Sequence, residues 1–67
     1  MKIYEVGYNC GDGIYSVNLL EGEAERVQQS AEEHAKLYNC PVSYIVEVSQ
    51  RYADSMMAKG MPWKKVG

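Results

Sequence analysis

Two cysteines, one histidine and several closely spaced glutamates are the residues of this chain with chemistry to offer. Cys10 and Cys40 sit in a repeated triplet, YNCGDG (8–13) and YNCPVS (38–43). Zinc needs four ligands at short paired spacings, and two cysteines thirty positions apart do not supply them. A C-x-x-C redox motif is absent. A disulfide remains compatible with the spacing, because a turn near Cys10 and a helix end near Cys40 can approach each other. The N-terminus, MKIYEVGYNC, has no charged region followed by an apolar stretch, so it does not read as a signal peptide. That favours the cytoplasm, where thiols stay reduced. Two unlinked thiols in similar turns are therefore expected, with Tyr closing an element and Asn opening a turn each time.

The remaining candidates also have plain readings. CGDGI resembles a phosphate cradle only superficially, because a helix N-terminus should follow the glycines and a strand follows here. Asp12 alone is too few acids for a calcium loop. His34 has no evident partner for general-base work, so a structural role is expected. Glu32 and Glu33, or Glu21, Glu23 and Glu25, would need to face one another across a cleft to cleave glycosides. On one helix they read as a solvated face. No catalytic residue, metal site or cofactor is expected, and the chain reads as a non-enzyme.

The elements that must position these residues follow from hydrophobic spacing. KIYEVGYN (2–9) alternates as a strand, CGDG (10–13) is a turn, and GIYSVNLL (13–20) resumes alternation, which together make a hairpin. Residues 21–39 repeat Ala24, Val27, Ala31, Ala35 and Tyr38 at helical spacing. Asn39 and Pro41 stop that helix. PVSYIVEV (41–48) is a third strand. QRYADSMMAKG (50–60) is a shorter helix capped by Gly60, and MPWKKVG (61–67) reads as a short flexible tail.

The expected fold is a single α+β domain over residues 1–67, ordered β-β-α-β-α, with a three-stranded, mainly antiparallel sheet in the order 2-1-3. The main helix covers one face, and Tyr4, Tyr8, Tyr15 and Tyr44 are assigned to that face. Ile3, Ile14 and Ile45 fall on the other face, where the second helix, a dimer or a target would cover them. A chain of 67 residues buries only roughly 60% of its unfolded surface, so it has little core to spare.

Charge separates along the chain. Residues 1–48 hold three basic and eight acidic residues, a net of −5, whereas residues 49–67 hold four basic and one acidic, a net of +3. An acidic body disfavours contact with nucleic acid phosphates. The reading that follows is a protein-binding module, an inhibitor or adaptor docking on a larger protein or nucleoprotein complex. Glu21, Glu25, Glu32 and Glu33 would imitate phosphates, and Met56, Met57, Met61, Trp63, Lys64 and Lys65 form a second contact surface. Size and charge together suggest a phage or mobile-element protein that blocks a host nucleic-acid-binding defence complex. Two other readings compete. One is a nucleic-acid-binding regulator using Arg51, Lys59, Lys64 and Lys65 with Trp63 stacking. The other is a homodimer, formed by sheet edges or the isoleucine face, that binds a small ligand. No run of about 18 apolar residues suggests a membrane span.

Overall fold

A computed structural model describes all 67 residues. The alternating N-terminal stretch forms β1 (Ile3–Asn9), which becomes an interior strand of the sheet. β2 (Tyr15–Glu21) pairs with it antiparallel on one side, and β3 (Val42–Val48) pairs antiparallel on the other. The loop between β1 and β2 closes through the Cys10 N–H to the Ile14 carbonyl and the Ile14 N–H to the Gly11 carbonyl, both 2.9 Å. Gly11, Asp12 and Gly13 have φ of 88°, 53° and 74°. Three left-handed residues in a row are affordable because two are glycine and the third is an aspartate, a type that tolerates that region.

The sheet has four strands, not three: the order β3-β1-β2-β4 keeps β1 between β2 and β3, as the 2-1-3 expectation had it, and adds a strand beyond β2. The fourth, β4 (Trp63–Lys65), lies parallel to β2. Bonds from the Leu19 N–H to the Pro62 carbonyl and from the Val66 N–H to the Glu21 carbonyl, both 2.8 Å, hold it. Three residues after a proline carry too little alternation to announce a strand. What returns them to the sheet is the end of α2 (Gln50–Ala58). There the Met61 N–H donates to Met56 and the Gly60 N–H to Met57, and Gly60 has φ 98°. This is the Schellman arrangement that reverses a chain.

Both faces of the sheet are covered. Even-numbered residues of β1 face α1 (Ala24–Tyr38), and the core there joins Val6, Tyr8, Leu20, Val27, Ala31 and Cys40. Odd-numbered Ile3 joins Leu19 and Ala53 in a second core, against which Val48, Met56, Met57 and Met61 pack. α2 is thus what covers Ile3. Ile45, by contrast, packs on the α1 side, and Ile14 is exposed in the turn. The inward stripe of α1 narrows to Val27, Ala31 and Ala35, because Ala24 and Tyr38 are exposed.

Tyr15 and Tyr44 do not share the α1 face with Tyr4 and Tyr8. The hairpin register sets Tyr4 opposite Leu20 and Gly7 opposite Val17, so Tyr15, Val17 and Leu19 belong to the α2 side. In β3, Val42 pairs with Tyr8 whereas Tyr44 pairs with Gly7, leaving Ser43 as an extra residue. Such a bulge moves the following side chains to the other face. Val42 therefore packs under α1, while Tyr44, Val46 and Val48 take the opposite face.

The two thiols are not free. Cys10 and Cys40 form a disulfide with Cα atoms 4.3 Å apart. The expectation of unlinked thiols rested on compartment, and local geometry overrides it. Asn39 takes the left-handed conformation at the end of α1 (φ 55°), and the Asn9 N–H donates to the Pro41 carbonyl at 2.8 Å. The two turns are thereby held side by side. No helix is long and apolar enough to cross a membrane.

Two outcomes follow from this packing. Reduction of the disulfide should lower unfolding free energy by about 3 kcal/mol, measured as urea midpoints with and without dithiothreitol. A Cβ on Gly7 would clash with Cε2 of Tyr44, whose ring lies over this strand. Gly7→Ala should therefore cost about 1–3 kcal/mol in the same assay and alter the near-ultraviolet tyrosine dichroism.

Candidate interaction surfaces

α1 ends where Asn39 stops it, and its outward side is set by the narrow stripe that faces the sheet. Glu25, Gln28, Gln29, Glu32, Glu33 and Lys36 form one exposed surface with no apolar side chain among them. The ion pair between Lys2 and Glu47, 3.7 Å apart, is the only one in the chain. The helix carboxylates consequently have no cationic partner within the domain. Glu21 is not part of this surface. It is the last residue of β2, half-buried, with Ile3 and Lys65 as its strand neighbours.

The C-terminal candidates divide. Met56, Met57 and Met61 are half-buried and pack against the second core. Trp63, Lys64 and Lys65 are exposed on β4, with Trp63 46% accessible. Strand alternation sends neighbouring side chains to opposite faces, so Trp63 and Lys65 share the α2 side while Lys64 joins Leu20 on the α1 side. Lys64 lines shallow clefts there with Glu33 and Ser30. Arg51 lies in the first turn of α2 and Lys59 closes it. The fold thus separates Lys64 from the Trp63–Lys65 pair.

Two clusters escaped the sequence reading. At the disulfide both YNC triplets meet: His34 lies between the rings of Tyr8 and Tyr38, with centroid separations of 4.4 and 4.6 Å. The repeated triplet was the visible signal. On the opposite face the hydroxyls of Tyr44 and Tyr52 both donate to the Glu5 carboxylate, one to each oxygen. Nothing in the spacing of residues 5, 44 and 52 announces this, because it depends on the bulge in β3 and on α2 crossing back over the sheet. The Glu5 carboxylate stabilises the neutral phenol, so Tyr44 is pushed up to about 12 and Tyr52 is raised for the same reason. Burial raises Tyr8, against a lowering bond to Asn18. No group of three or more His, Cys, Asp or Glu side chains is placed to hold a metal ion. Comparison with protein-family models, with curated proteins and with solved structures found no match.

The tyrosine shift has a definite sign. The Tyr44 proton is held more tightly in the folded chain than at its ordinary value of 10.0. Its contribution to stability is complete below that pH and is lost as pH rises through about 12. An ultraviolet titration should show Tyr44 ionising near that upper value, and Glu5→Gln should bring it down.

Proposed function

We propose that this domain is a non-enzymatic protein-binding module that docks the outer face of α1 onto a basic surface of a larger partner. The observation that carries the reading is the row Glu25, Glu32 and Glu33. All three are exposed and none has an ion-pair partner in the chain. Surface carboxylates outside ion pairs speed encounter with a positive surface and set orientation, and here three of them outweigh the single Lys36 on the same face. A row of carboxylates resembles a row of phosphates, so a protein or nucleoprotein that grips nucleic acid is the fitting class of partner. The domain would act there as an inhibitor or adaptor, and its size and charge would suit a phage or mobile-element protein that blocks a host complex. A cytoplasmic site of action asks that the Cys10–Cys40 bond persist against a reducing pool.

The wild-type chain and the triple variant Glu25→Lys, Glu32→Lys and Glu33→Lys should be used as bait in extracts of the native host. Proteins retained by the wild type should be lost from the variant, and capture by the wild type should weaken steeply with salt. Equal capture by both baits overturns the acidic-face reading.

A further inference from the structure

We propose that the free edge of β3 is a self-association surface, and that it pairs antiparallel with β3 of a second copy about a two-fold axis at Ile45. The backbone supports this first. Bonds from the Cys10 N–H to Ile14 and from the Gly22 N–H to Lys2 show that even-numbered residues of β1 direct their backbone groups toward β2. The Asn9 N–H donating to Pro41 shows odd-numbered residues directed toward β3. With Glu5 opposite Val46 and Gly7 opposite Tyr44, the inward-bonding residues of β3 are Tyr44, Val46 and Val48. Ile45 and Glu47 then point their N–H and C=O groups outward, on a strand that has no neighbour on that side.

The side chains make the edge fit itself. Pairing Ile45 with its own copy places each Tyr44 opposite Val46 of the other chain, and each Ser43 opposite Glu47. Tyr44 is 38% exposed and Val46 46%, both on the α2 face. The Tyr44 ring leans over Gly7 with its hydroxyl on Glu5, so Val46 of the second copy meets the ring's exposed flank, and this aromatic–β-branched contact occurs twice by symmetry. No like charges meet, because Glu47 is the only charged residue of β3 and already has Lys2 beside it. Between the bulge at Ser43 and Glu47 the strand carries no lysine or proline, so its central residues stay open to pairing. A second copy therefore satisfies the backbone and both exposed apolar side chains in one register. This inference stands apart from the acidic-face reading and uses none of its residues.

The test uses the oxidised full chain. Light scattering across micromolar to millimolar concentration should show a monomer passing to a dimer. Residue-level amide exchange should find Tyr44 and Val46 protected at every concentration, and Ile45 and Glu47 protected only where the dimer forms. Val46→Lys, and Ser43→Glu opposite Glu47 of the second chain, should each raise the dissociation constant about tenfold. Ser43→Lys should not raise it. A monomer throughout overturns the proposal. So does a dimer in which Ile45 and Glu47 exchange as fast as in the monomer, or one that neither Val46→Lys nor Ser43→Glu weakens.

Discussion

Everything in this fold depends on β1 being used on all four sides. Its backbone is hydrogen-bonded on both edges, and its side chains meet a different helix on each face. A chain this short cannot build one thick core. It builds two thin ones that share a strand, with Val6 and Tyr8 serving one and Ile3 the other. The helices differ accordingly. α1 brings small residues close to the sheet, whereas α2 brings flexible methionines that fill an irregular gap. The disulfide lies at one end of the first core, of which Cys40 is a buried member. It ties the end of α1 to the hairpin turn, beyond the last buried residues of the helix, and it limits the freedom of the unfolded chain.

Local features were legible because local physics produces them. The glycine-rich turn, the stop of α1 at Asn39 and the end of α2 at Gly60 each rest on a residue suited to left-handed backbone. The mixed architecture with two helices follows from hydrophobic periods that neighbouring residues establish together. What stayed hidden depends on residues distant in sequence. One extra residue at Ser43 decides which face Tyr44 and Val46 occupy, and alternation alone cannot register an insertion. β4 exists because β2 has an open edge for it, not because WKK favours extension. The cysteines show the same limit. Their spacing allowed a bond, and only the adjacency of two turns decided it.

The candidate surfaces divide along the same line. Glu25, Glu32 and Glu33 were readable as one face because a helix fixes its own geometry over a few residues. Glu21 lies just ahead of the helical stripe, and spacing alone does not separate it from the helix. It belongs to the strand, since Gly22 and the cap at Glu23 intervene before α1 begins. The methionines illustrate a different problem. Adaptable side chains suit an interface and a gap-filled core equally well, and a small domain short of apolar area uses them for its own packing first.

The self-pairing register at β3 bears on how the acidic helix would work. A two-fold axis through an antiparallel strand pair stands roughly perpendicular to the sheet, so it does not exchange the two faces. Both α1 helices would lie on the same side of a continuous sheet, presenting two rows of carboxylates in parallel planes. A partner offering a long basic surface, such as one shaped for a nucleic acid duplex, can meet both rows at once. The second contact then forms at the effective concentration set by a rigid connection, which raises avidity without any new residue. A compact basic patch gains nothing from the second row. The spacing of the two helices, fixed by the strand pairing, would therefore select among basic partners by the length of their positive surface, where the charge of a single helix selects only by sign.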